Sequence, residues 1–228
     1  METQLKQGER AEELFLGGLK IIQSEKLYKF TSDAVLLTKF ARASKNEKVA
    51  DFCSGSGIVG LHFYALHPNA VKEVRLFEIQ KELADMSLRT VKMNGLEEKF
   101  TVYNQPVQEI GKEFNGYFSL VLCNPPYETA GTGEKSVSES DAIARHEGTL
   151  TLENVISVAA LKLKFGGRLC IVHRADRLVD LMFYMRKHGI EPKRLKFAAA
   201  KGKAPYTVFA EGVKGGGRTL KIEPPFEN

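Results

Sequence analysis

The turn Cys53-Ser54-Gly55-Ser56-Gly57 constrains the fold of this chain more than any other stretch. It joins an apolar strand signal at residues 47–52 to an apolar helix signal at 58–66, which Pro68 stops. A strand that passes through a two-glycine turn straight into a helix starts a parallel crossover, because the chain must return over the sheet before it can pair again. The alternation then repeats. Strands are expected at 72–77, 100–103, 117–123, 168–173, 194–198 and 206–211. Helices are expected at 80–93, ended by Asn94-Gly95, and at 151–164, closed by Gly166-Gly167. A further helix at 176–188 carries Arg186, Lys187 and His188 in its last turn, with Gly189 beyond. This pattern predicts an α/β fold with a doubly wound, mostly parallel sheet of seven strands.

Two stretches fall outside the alternation. Residues 1–46 are expected to form an N-terminal extension packed on a core of residues 47–228. Within it, residues 19–23 and 27–30 suggest a β-ribbon around Ser24-Glu25-Lys26, and a helix should begin near Ser32. Residues 128–148 are polar and rich in Gly and Ser. A loop of that length in a compact domain is usually functional or disordered, and a lid that shapes the substrate site is the sharper expectation.

Composition narrows the setting. A chain of 228 residues, 43% hydrophobic and 27% charged, is large enough for one sizeable core. No apolar run approaches a membrane span, and residues 1–10 hold no apolar signal core. Cys53, Cys123 and Cys170 are an odd, widely spaced set that suggests neither a disulfide framework nor a zinc site, so a reduced cytoplasm is expected. His62 and His67, five apart, do not share a helix face, and no metal is expected. The net charge of +5 gathers late, with Lys193, Arg194, Lys196, Lys201 and Lys203 as candidate phosphate contacts and solvated surface as the alternative.

In such a sheet, ligands bind at the carboxyl ends of the strands, where Asp51, Glu78 and Asn124 all fall. Gly55 and Gly57 let a backbone approach a ligand closely, and the helix N-terminus adds N–H donors. Glu78 can accept from both hydroxyls of a ribose. Gly55-Ser56-Gly57-Ile58-Val59-Gly60 also matches the G-x-G-x-x-G dinucleotide fingerprint, which alone would point to NAD. Two features favour S-adenosylmethionine instead. Asp51, just before the loop, would repel a pyrophosphate but suit an ammonium. The second is Asn124-Pro125-Pro126-Tyr127, after the apolar run at 118–122. The prolines fix the backbone and donate no hydrogen bonds. The Asn124 side-chain oxygen and the Pro125 carbonyl can then accept from one NH2 group while Tyr127 stacks on the plane that bears it.

These residues, with Phe30-Thr31-Ser32-Asp33-Ala34-Val35-Leu36-Leu37, Ala144-Arg145-His146-Glu147 and Ile222-Glu223-Pro224-Pro225, carry a resemblance. The chain is similar to class I S-adenosylmethionine-dependent methyltransferases that methylate amino groups. The similarity is greatest to bacterial enzymes acting on N6 of an adenine beside the anticodon of a valine tRNA. The resemblance implies a Rossmann-like sheet, S-adenosyl-L-methionine as cofactor and tRNA as partner; the oligomeric state stays open, with a monomer favoured, and no membrane partner is expected. It places Asn124, Pro125 and Tyr127 in catalysis. Thr31, Asp33, Asp51, Gly55, Gly57, Glu78 and Asn104 would hold the cofactor. Pro126, Tyr127, Phe30, Arg145 and His146 would meet the substrate. Pro106 departs from the pattern, standing where such enzymes often place an Asp against the cofactor adenine. Protein glutamine-N5 methylation, rRNA or DNA amino-methylation, and a non-catalytic nucleic-acid-binding module are the competing expectations.

Overall fold

Seven strands build the main sheet: β3 (Glu47–Phe52), β4 (Val71–Glu78), β5 (Phe100–Asn104), β6 (Phe118–Cys123), β7 (Leu163–Arg174), β8 (Ile190–Ala199) and β9 (Thr207–Lys214). The structure, a computed structural model, describes residues 5–14, 17–25, 27, 31–127, 150–200 and 202–227. Strand order is β8-β9-β7-β6-β3-β4-β5, and the two-residue strands β10 (Lys221–Ile222) and β11 (Phe226–Glu227) add to β8. Pairings are parallel except those of β9 with β7 and β8. This is the α/β, Rossmann-like, mostly parallel sheet expected from the alternation.

Helices α1 (Ser32–Phe40), α2 (Ile58–Leu66), α3 (Lys81–Met93), α4 (Leu152–Lys162) and α5 (Leu178–Lys187) cover it. Alternate residues of each central strand enter different cores. Ala50, Phe52, Val121 and Ile171 pack with Val155, Ile156 and Leu181 of α4 and α5. Val49, Leu120, Leu122 and Val172 pack with Leu37, Phe40, Val59 and Phe63 of α1 and α2. Such strands are apolar on both faces, which is why they read as continuous apolar runs.

Several elements differ from expectation. The N-terminal ribbon exists, but β2 (Lys20–Ser24) pairs with the upstream β1 (Glu9–Glu13). The reversal uses Gly17 and Gly18, both at positive φ, a turn that glycine makes at little cost. Residues 28–30 of the expected partner lie outside the described residues, as does the expected lid at 128–148. The helix expected to reach residue 164 ends at Lys162, and Gly166-Gly167 serve β7 instead. Phe118 pairs with Leu163 but Leu120 with Arg168, so the glycines occupy an irregularity in the strand. β8 starts at Ile190 because a second irregularity accommodates Pro192.

The ribbon is tied to α3. Arg89 donates to both carboxylate oxygens of Glu9 at 2.6 Å, and Ile22 N donates to Thr90 Oγ1 at 3.1 Å. No helix among the described residues is long and apolar enough to cross a membrane.

Candidate active site

Strand register brings the turns singled out in the sequence to one edge. Phe52 pairs with Phe77 on one side and Cys123 on the other, and Glu78 pairs with Asn104. The carboxyl ends of β5, β4, β3 and β6 therefore line up, and the 53–57 turn stands between Glu78 and Asn124.

The turn is built from left-handed backbone. Cys53, Gly55 and Gly57 have φ of 58°, 56° and 85°. A methyl group at Gly57 would lie 3.1 Å from Leu76 Cδ1, so this position is tight for a side chain as well as strained in its backbone. Ser54 N donates to the Phe77 carbonyl at 3.1 Å, and Ser87 Oγ to the Gly55 carbonyl at 2.9 Å. Gln23 of β2 donates to Ser56 Oγ at 3.1 Å, which ties the ribbon to the turn. Sequence reasoning missed this contact, because nothing in the local pattern links residues 33 positions apart.

Glu78 is buried. Its two oxygens accept from Gly55 N at 2.7 Å and Gln80 N at 2.9 Å. A carboxylate has about four lone-pair sites, and the main-chain donors at Gly55, Gln80 and Ile79 leave room for a ribose hydroxyl. Burial raises its pKa, and the main-chain donors at Gln80, Gly55 and Ile79 oppose the rise. Asn104 Nδ2 donates to the carbonyls of Glu78 and Ile79, both at 2.9 Å, and so braces this loop.

Asp51 is fully buried. Its Oδ2 accepts from Gly60 N at 2.8 Å, while Oδ1 has no partner. Burial pushes its pKa up to about 8, with the Gly60 N–H opposing and the charge of Glu78 adding. A bare buried carboxylate oxygen at a glycine turn suits a cationic ligand group. The folded state holds this proton well above the usual carboxylate range, so its stabilising contribution is complete below about pH 4 and is lost as pH rises toward 8. Cofactor-free protein is expected to be less resistant to urea at pH 8 than at pH 5, and Asp51→Asn should flatten that decline. Denaturation curves at the two pH values check it.

On the far side of the turn, Asn124 is half-buried, Pro125 buried, Pro126 exposed and Tyr127 half-buried. The Tyr127 hydroxyl donates to Asp33 Oδ2 at 3.2 Å, and the Tyr127 ring lies 5.2 Å from that of His173. Thr207 Oγ1 lies 3.5 Å from the same Asp33 oxygen. His173 and Thr207 were not among the expected residues. His173 is the next-to-last residue of β7 and could have been found from strand position. Thr207 enters through the antiparallel β9, which sequence spacing does not align. Burial lowers the His173 pKa to about 4, so the ring is neutral at ordinary pH. Thr31 is exposed at the start of α1. Phe30, Arg145 and His146 lie outside the described residues.

Burial, reinforced by Cys53, holds the Cys123 thiol well above its ordinary pKa. This agrees with reading Cys123 as a small apolar residue and not as a nucleophile. Among the described residues no group of three His, Cys, Asp or Glu side chains could hold a metal ion. The late basic cluster is only partly available. Arg194 is buried, with Glu211 at 3.0 Å and Glu223 at 2.8 Å, and its guanidinium covers the Phe40 ring. Lys196 lies over the Phe226 ring and Lys193 donates to the Gly217 carbonyl.

A doubly wound, mostly parallel sheet with a glycine turn after its central strand is the fold of a class I methyltransferase. The methyltransferase small domain family matches residues 29–185. The chain belongs to that family, and its cofactor is S-adenosylmethionine. Relatives include the tRNA1(Val) (adenine(37)-N6)-methyltransferase of Shewanella frigidimarina. It is 24% identical over 178 residues, which span 76% of this chain and 70% of that protein. The Porphyromonas gingivalis protein of the same name is 26% identical over 171 residues, 72% of this chain and 66% of its own length. Among solved structures, a predicted O-methyltransferase from Agrobacterium tumefaciens superposes with a TM-score of 0.68 at 18% identity, covering 86% of each chain. M. jannaschii TYW2 in complex with AdoMet gives 0.62 at 14% identity, covering 92% of this chain and 87% of that one. At these identities the structural likeness shows the fold.

Proposed function

We propose that this chain methylates an exocyclic amino nitrogen, and that the acceptor is N6 of an adenine in tRNA. One observation carries the chemistry: the pairing of Phe52 with Cys123 sets the Asn-Pro-Pro-Tyr turn directly beside the glycine turn. Tyr and two prolines beside an Asn make a rigid acceptor for an amine and have no evident use in hydride transfer. The choice of tRNA rests on the relatives named for that activity.

In this reading Asp51, Gly55, Gly57 and Glu78 hold the cofactor, with Thr31 and Asn104 at the margins of its site. When bound, the cofactor supplies a methyl group on a sulfonium, an electrophile that needs no metal. Asn124 and the Pro125 carbonyl accept the two amino hydrogens and turn the nitrogen lone pair toward that methyl. Tyr127 stacks on the base, and Pro126, Phe30, Arg145 and His146 are the other residues proposed to meet the substrate. Positioning supplies most of the rate enhancement. No strong general base is required, because the nitrogen becomes acidic only after it gains the methyl. A base in structured RNA has to leave its stack to reach the turn.

The test incubates the protein with labelled cofactor and separate pools of tRNA, rRNA, DNA and protein. Label in tRNA, recovered as N6-methyladenosine near the anticodon, is the expected result. Label in protein as methylglutamine would replace this reading with the amide-methylating one. Affinity for tRNA should fall steeply with salt. The loop before β9 leads into the active-site edge, since Thr207 pairs with Arg174 and Ala198. Neutralising the exposed Lys203 in that loop should lower the salt slope by about one. Neutralising the exposed Arg218, beyond the opposite end of β9, should leave it unchanged. Filter binding across a salt series reads both.

A further inference from the structure

The group that holds the Tyr127 hydroxyl comes from a distant part of the chain. Asp33 belongs to α1, and it is 8% exposed. Its Oδ2 receives the Tyr127 hydroxyl at 3.2 Å and has the Thr207 hydroxyl at 3.5 Å, while its Oδ1 has no partner. Burial raises its pKa, and the bonds from Tyr127 and Thr207 oppose that rise. A carboxylate this buried and this sparsely bonded depends on the donors it has, and Tyr127 is the nearer of the two. The ring is held at a second point by His173, neutral and 3% exposed, at a centroid distance of 5.2 Å. Tyr127 is thus fixed at its hydroxyl from α1 and at its ring from β7.

We propose that Asp33 is a positioning residue for methyl transfer: through the Tyr127 hydroxyl it sets the plane on which the acceptor base stacks. This rests on the reading that Tyr127 faces the acceptor. It departs from the expectation that Asp33 serves the cofactor. It also gives the phenol oxygen a task that stacking alone does not require, so a phenyl ring at 127 is not an adequate substitute.

The test is a mutant cycle on purified full-length protein, run with whichever acceptor the wild-type protein labels. Asp33→Ala and Tyr127→Phe should each lower kcat about tenfold and leave the cofactor Kd within about twofold. The double variant should be no slower than Asp33→Ala, because both changes break one contact. Asp33→Asn keeps an acceptor oxygen and should recover most of the loss. Thermal melts establish that each variant is folded. Additive losses, or a cofactor Kd weakened tenfold by Asp33→Ala with kcat unchanged, would overturn the proposal and return Asp33 to the cofactor.

A second readout needs no turnover. In protein labelled with 3-fluorotyrosine, the Tyr127 resonance is identified by its loss in Tyr127→Phe, and Asp33→Ala should shift and broaden it. An unmoved resonance removes the contact and the proposal with it. A moved resonance together with an unlabelled tRNA pool supports the proposal and instead discards tRNA as the acceptor.

Discussion

Asn124→Ala is expected to lower methyl transfer by at least about 100-fold while leaving cofactor affinity within about twofold. Removing one preorganised hydrogen-bond partner of a reacting group typically costs 10²–10³ in kcat. Here the lost oxygen is the one proposed to orient the acceptor nitrogen. The proposed cofactor residues lie on other elements: the 53–57 turn follows β3 and Glu78 ends β4. The turn itself should survive, because Pro125 and Pro126 restrict the backbone without help from the Asn124 side chain. Single-turnover assays with labelled cofactor measure the first quantity and calorimetry the second. Near-wild-type turnover in this variant would remove the Asn-Pro-Pro-Tyr turn from the chemistry. Mass spectrometry that places the methyl on carbon or on a sugar oxygen would do the same.

Glu78→Ala should weaken S-adenosylmethionine binding tenfold or more. Charge-assisted hydrogen bonds of the kind proposed to the ribose are worth about 1.5–3 kcal/mol. Part of the loss would be indirect. Glu78 also accepts from Gly55 N and Gln80 N, so its removal strips a partner from both sides of the site. Glu78→Gln should not restore binding. The carboxamide presents an NH2 to main-chain donors that now meet two oxygens, and one of the two bonds becomes donor against donor. Calorimetry on folded variants reads the effect. Tight NAD binding with none for S-adenosylmethionine would reverse the choice made between the two readings of Gly55-Ser56-Gly57-Ile58-Val59-Gly60. The last glycine of that run has a packing role. A methyl group at Gly60 would lie 2.6 Å from Leu76 Cδ2, so Gly60 lets α2 pack against β4 and brings its N–H to Asp51.

Much of the fold was legible because parallel crossovers leave a strong periodic signature. Strand β3 and helix α2 were expected at the residues where they occur, since one is bounded by the glycine turn and the other by Pro68. Boundaries were missed where a strand carries an irregularity. Gly166-Gly167 resemble a helix stop, and Pro192 resembles a strand breaker. Each is absorbed within β7 or β8 by a shift of register with a neighbour. The upstream strand β1 was missed for a related reason. Glu9–Glu13 is almost wholly polar and forms a strand only because β2 and the Arg89–Glu9 contact hold it.

The site divides along the same line. The amino-acid order by itself determined the chemistry-bearing turns, Asp51 to Gly57, Glu78 and Asn124 to Tyr127, because each sits at the end of one strand and its character is local. It also determined that they share an edge, because parallel strands all end on the same side. What only the tertiary structure decided were the partnerships between separate elements. Asp33 meets Tyr127 across 94 positions, Gln23 reaches Ser56, and Arg194 turns inward to Glu211 and Glu223 when its sequence neighbours suggested a phosphate contact. Such contacts depend on which face of a helix or strand meets which neighbour. They are paid for by burial, and burial belongs to the packed whole and not to any local run of residues.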